Sequence, residues 1–182
     1  ADNGDVLYAE SAETEMYFNR ILENGAEDIF CETGVVYAEH NWWGLNAEPR
    51  ERVRGNVFCD PWVVLTVKAG HSGIQNGGAS VITADLLHGS DGVYRDPANG
   101  HVPDGPPVAL VVPWGSFDDA SIIHSETRDT VGGRVEATFH ANAGSTPLPL
   151  DSVRVTAMMD GYETTDGESA YIKVERADPA NW

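Results

Sequence analysis

Alternation of apolar and polar positions dominates the chain after residue 62. Across residues 79–88, Val81, Thr83 and Asp85 fall on one face, and Ile82, Ala84 and Leu86 on the other. Strict alternation of this kind predicts a half-buried strand. Val153, Val155, Ala157 and Met159 alternate in the same way with Arg154, Thr156 and Met158. Further strand-like runs occupy residues 63–69, 107–112, 121–127, 131–140 and 169–175, with Gly-Gly, Pro-Leu-Pro and Asp-Gly clusters between runs. Seven or so short strands separated by turn signals predict an antiparallel β-sandwich. No helix of useful length fits after residue 62.

The first sixty residues read less simply. Ser11 suits a helix N-cap, Tyr17 and Ile21 sit four apart, Phe18 and Leu22 sit four apart, and Gly25 lies where a C-terminal cap belongs. Periodicity alone therefore favours a helix over 11–25. Residues 28–31, 35–40 and 56–59 look like short strands, with turns at Glu32-Thr33-Gly34 and around Pro49. Composition shifts at Pro61-Trp62, from Glu, Asn and aromatics to Val, Thr, Ala and Gly. The expected division is 1–61 and 62–182.

Charge narrows the partners. The formal net charge is −18 over 182 residues. Such a surface repels phosphate, which disfavours nucleic acid and anionic membrane. Divalent cations, basic surfaces and uncharged polymers such as polysaccharides stay open. No apolar run approaches the roughly 20 residues of a spanning helix. Lysine occurs only at Lys68 and Lys173, and the first residue is Ala1. An exported, extracellular chain fits this bias, either matured by cleavage before Ala1 or clipped from something longer. Cys31 and Cys59 have no CxxC spacing and no neighbouring histidine, which argues against zinc. They read as a disulfide within or between chains, or as two buried thiols.

Several motifs carry a family resemblance. Asn41-Trp42-Trp43-Gly44-Leu45-Asn46, then Gly55-Asn56-Val57 and Asp60-Pro61-Trp62-Val63-Val64-Leu65, resemble a junction in adhesin-like surface proteins of methanogenic archaea. There a right-handed parallel β-helix ends in an NWWG motif and a DPWL-like strand, and an invasin-type Ig-like domain follows. Gly100-His101-Val102-Pro103-Asp104-Gly105 resembles a turn of that Ig-like domain. Phe18–Gly25 and Gly34–Asn41 resemble successive β-helix coils. The resemblance covers most of residues 17–112. Cys59 departs from it, standing where such junctions carry an aromatic or small residue.

The resemblance replaces the helix over 11–25 with coil. It implies an all-β chain: an N-terminal β-helix-like or β-arch segment, then an antiparallel Ig-like β-sandwich. Two or three coils leave unpaired strand edges, which stacking onto another subunit would satisfy. The expected function is a structural subunit of an archaeal cell envelope, sheath-like or S-layer-like. It would form a homo-oligomer or polymer by edge-to-edge β pairing, with disulfide support from Cys31 and Cys59. An adhesin-type binding module and a carbohydrate-active β-helix enzyme are the alternatives.

Candidate chemistry is sparse. Trp42, Trp43 and Trp62 suit a plug at the domain junction, or a sugar-stacking platform. The polar loop 89–105 carries Asp91, Asp96, Asn99 and Asp104, oxygen ligands of the kind calcium takes, although the spacing is not that of an EF-hand. No histidine lies in a metal-protease pattern, and Gly70-His71-Ser72-Gly73 lacks the geometry of a nucleophile elbow. Carboxylate pairs such as Glu13 with Glu15 could serve glycoside cleavage only along a groove of many coils. No catalytic residue and no required cofactor are expected.

Overall fold

A computed structural model of the chain describes residues 7–9, 12–22, 27–117, 124–141 and 152–175. The chain divides into two compact units. The first comprises Ala1–Leu65, Leu86–Asp104 and Asp160–Tyr162; the second comprises Thr66–Asp85, Gly105–Met159 and Glu163–Trp182. The first thus takes in most of the polar loop and a distant turn, which a division at residue 61 leaves with the second.

The first unit is a stack of parallel coils. Strands β1 (Leu7–Ala9) and β2 (Ala12–Glu15) both pair parallel with β3 (Ile29–Tyr37), and β3 pairs parallel with β4 (Val53–Phe58). Residues of the first coil meet those 22 places on: Leu7 pairs with Ile29, Ala12 with Gly34, and Arg20 with Trp42. The next step pairs Ile29 with Val53 and Val36 with Val57, and an irregularity between Cys31 and Val36 absorbs the change of offset. Backbone bonds continue the ladder beyond the strands, from Ile21 N to Trp42 O at 2.7 Å and from Val63 N to Asn41 O at 3.0 Å.

Each coil turns its apolar positions inward. Ala9, Ile21, Ile29, Cys31, Val36, Ala38, Trp43, Val57 and Cys59 form one buried cluster, with Leu7, Met16, Val53 and Trp62 packed against it. A single coil cannot bury such a face; stacking makes the core. Polar Glu32, Thr33 and Gly34 stay outside at the corner where β3 bends, so one strand replaces the two short strands expected at 28–31 and 35–40.

The helix that periodicity favours over 11–25 is absent among the described residues of that span. Residues 12–15 are extended, and residues 16–22 run without helix. The four-residue spacings come from a corner instead. Ile21 points into the core, whereas Phe18, at φ +60°, stacks on His40, at φ +59°, with ring centroids 5.8 Å apart. Ser11 and Gly25, the expected caps, lie outside the described residues.

The second unit is built of sheets. The expected strands are present as β5 (Val63–Ala69), β7 (Ala79–Gly89), β8 (Pro107–Val111), β9 (Ser125–Asp129), β10 (Arg134–His140), β11 (Ser152–Met159) and β13 (Ala170–Glu175), together with the short β6 (Gly73–Gln75) and β12 (Tyr162–Glu163); Val63–Leu65 of β5, Leu86–Gly89 of β7 and Tyr162 of β12 belong to the first unit. One sheet runs β10-β7-β5; the other runs β6-β13-β11-β8-β9, with β12 beside β11. The β10–β7, β11–β13, β11–β8 and β8–β9 pairs are antiparallel, and β13 with β6 is parallel. Ile82 and Ala84 are buried while Val81 is 46% exposed, as the alternation requires, but the alternation lapses at Asp85, which is 6% exposed although expected on the face of Val81. The whole described structure is all-β.

Candidate assembly surface on the coil stack

The coil stack ends in two strand edges. Among the described residues, β1 and β2 pair only with β3, and so does β4 on the opposite side. Unpaired backbone N–H and C=O groups along an edge are a template for another strand. Glu13 and Glu15 are exposed at the first edge, and Arg54, Gly55, Asn56 and Phe58 at the other.

Three polar columns stand beside the strands of the first unit. The first is Asn41, which is fully buried. Its Nδ2 donates to Met16 O and Ala38 O at 2.7 Å each and to Glu39 O at 3.3 Å. Its Oδ1 accepts from Asn19 N at 2.7 Å and Asn19 Nδ2 at 3.1 Å. One side chain thus satisfies backbone groups of two coils at the corner, where strand pairing lapses. The second is Asn46, whose side chain imitates a strand partner of Leu65, accepting from its N at 2.7 Å and donating to its O at 2.9 Å. The Asn46 carbonyl also accepts from Trp62 Nε1 at 2.9 Å.

The third column joins Arg20, Trp42 and Asp160. Arg20 Nε donates to Asp160 Oδ2 at 2.9 Å and its Nη2 pairs with Oδ1, while Trp42 Nε1 donates to Oδ2 at 2.8 Å. The Asp160 side chain is 5% exposed. Burial pushes its carboxyl up, but the hydrogen bonds from Arg20 and Trp42 and the Arg20 charge outweigh burial and hold it below the ordinary value. A carboxylate depressed on folding stabilises fully above its unfolded pKa and loses that contribution as pH falls through the folded value. Asp160→Asn should therefore cost about 1–2 kcal/mol at pH 7, a figure discounted because Arg20 is partly exposed. The deficit should shrink as pH drops below about 4. Urea melts of both proteins between pH 2 and 7 check this; parallel curves would show that Asp160 carries no linkage.

The residues singled out in the sequence are distributed as follows. Trp42 and Trp43 are completely buried, which leaves no ring face for a sugar. Trp43 lies in the coil core, with the Arg52 guanidinium 5.7 Å from its ring, and Trp62 packs against the same core. The carboxylates of the polar loop are engaged locally. Asp91 is bonded to Arg95 at 2.8 and 3.2 Å and to Val93 N; Asp96 caps a short 3-10 turn through Ala98 N; Asp104 lies 3.6 Å from His101 Nδ1. Asn99 closes that turn, its N–H bonded to Asp96 O. No group of three or more metal-binding His, Cys, Asp or Glu side chains forms among the described residues.

Cys31 and Cys59 are free thiols here, each 2% exposed. Cys31 stands opposite Gly55 in the register, whereas Cys59 follows Phe58, the partner of Tyr37, so neither faces the other across the ladder. Burial also pushes the Cys59 thiol up. A thiol reagent should label the native protein slowly and two sites per chain after denaturation. Mass spectrometry without reductant checks this, and a denatured chain that takes up no label would show a bridge.

The resemblance covers Asn19, Arg20, Asn41 and Asn46 without assigning them a role, and Asp160 lies outside it. A recurrence at 22 residues carries the signal for some of them, since Asn19 and Asn24 are followed by Asn41 and Asn46. Nothing near Asp160 in sequence points to Trp42, 118 positions away.

Comparison with known proteins adds little. No family model matches the chain, and no curated protein matches it. Among solved structures, a glycosyl hydrolase family 2 member from Bacteroides cellulosilyticus aligns at 20% identity and TM-score 0.40, over 61% of this chain and 14% of its own. The CARDB domain of a Pyrococcus furiosus protein, solved in complex with di-metal ions, aligns at 14% identity and TM-score 0.32, over 66% of this chain and 94% of its own. Likenesses this distant carry no argument about activity.

Proposed function

We propose that this chain is a structural subunit of an extracellular archaeal cell envelope, of sheath or S-layer type, with no catalytic role. Neighbouring subunits join by β pairing between coil stacks. The observation that carries this reading is a parallel coil stack whose strands β1 and β2 pair, among the described residues, on one side only. An edge of this kind invites pairing, and a wall built from it is held by backbone hydrogen bonds and apolar contact. The free, buried thiols leave the assembly non-covalent in this reading. The acidic surface suits a material exposed to water and salt, because salt weakens repulsion between subunits of charge −18.

Electron microscopy of the purified chain tests the proposal. Ordered tubes, hoops or sheets are expected, and they should persist in a calcium chelator, because the loop carboxylates already have protein partners. Dispersed single particles at all concentrations would sink the proposal in favour of a binding module. Assemblies that dissolve in chelator and return with calcium alone would transfer the role to Asp91, Asp96, Asn99 and Asp104.

A further inference from the structure

We propose that the β4 edge of one copy of this chain receives the β1–β2 edge of a second copy, so that coil stacks join head to tail with strands parallel. This rests on the assembly reading above and adds which surface meets which, in what polarity and in what register.

Three observations support it. First, the β4 edge carries a groove of about 330 Å³ along its backbone, lined by residues 55–60 and Arg50. Second, the register columns continue sensibly across the joint. The column Leu7–Ile29–Val53 is apolar, and the next residue along it would be Leu7 of the second copy. In the outer column Glu15–Tyr37–Phe58, Phe58 stacks one face on Tyr37 at 5.6 Å and is 49% exposed. Glu15 of the second copy would follow it. Third, the edges differ in charge. Glu13 and Glu15 are exposed on the first without basic neighbours in their strand, while on the other Arg50 and Arg54, 67% and 58% exposed, are each paired with a carboxylate, Glu48 and Glu27.

Charge also decides polarity. A two-fold contact of β2 with its own copy would set Glu13 and Glu15 against like charges, which the head-to-tail contact avoids. Head-to-tail contact opposes unlike edges. It is heterologous, so it does not close on itself and propagates.

Paired cysteines test the register. Neighbouring strands lie about 4.8 Å apart, so Glu15→Cys and Phe58→Cys on adjoining copies fall within disulfide range. Inside one copy the Tyr37 strand stands between them, which places them near 10 Å apart and out of range. Under mild oxidation, E15C/F58C should give a covalent ladder on a non-reducing gel. A mixture of the two single variants should stop at dimer, and the wild type, with buried thiols, should stay monomeric. The pair L7C/V53C, in the Leu7–Ile29–Val53 column, repeats the test should the first variant misfold. Dimers from E15C alone or F58C alone would overturn the head-to-tail arrangement in favour of a two-fold one. Assemblies seen by microscopy without a ladder from either double variant would overturn it while leaving the assembly reading intact. Wild type that forms no assembly under the microscope at any concentration would remove both.

Discussion

Replacing Asn41 with Ala should destabilise the coil stack by about 3–5 kcal/mol, enough to unfold it at modest denaturant. The substitution removes five hydrogen bonds and leaves the carbonyls of Met16 and Ala38 and the N–H of Asn19 without this partner. Each buried polar group stranded in this way costs about 1–3 kcal/mol. Asn41→Asp should not rescue the loss. It keeps the acceptor but turns a negative charge toward carbonyl oxygens in a site with no exposure. Urea unfolding followed by tryptophan fluorescence reads the effect, because Trp42 and Trp43 adjoin the corner. A midpoint within experimental error of wild type would show that the column is dispensable.

A Gly55→Ala variant should be nearly as severe, by at least about 3 kcal/mol. Gly55 sits at φ +88°, and a Cβ there would lie 1.9 Å from Cys31 O and 2.8 Å from Cys31 C. These are backbone atoms of the paired strand, so the β3–β4 ladder itself must shift at the Cys31–Gly55 pair. Gly92 separates the two causes. It has φ +75° and nothing within 4 Å of the added carbon, so Gly92→Ala carries only the conformational cost of about 1–2 kcal/mol. Thermal or urea midpoints of the two variants give the difference directly. Equal losses would mean that backbone conformation, and not the close approach to Cys31, governs the site.

The strands of the second unit were legible because sheet alternation survives over many residues. Ile82 and Ala84, then Val153, Val155, Ala157 and Met159, point inward as expected and are buried. The coil stack was harder to read. Each of its strands contributes only a few inward residues before a corner, as with Ile29 and Cys31 ahead of the exposed Glu32, Thr33 and Gly34. No period of two develops over so short a run, and the corner at Phe18 to Leu22 mimics helical spacing. The acidic loop misled for a different reason. A carboxylate looks available in sequence, but Asp91 is committed to Arg95 and Asp96 to a turn amide. Asp160 shows the limit most plainly, since its role depends on Arg20, 140 positions away.

Electron or fibre diffraction from oriented assembled material tests the stacking of coils most directly. Parallel coils repeat at the strand spacing, so the expected pattern is a sharp reflection near 4.8 Å along the direction in which subunits add. Assemblies that give no such reflection along that direction, or give it only across it, would contradict joining by coil-on-coil β pairing.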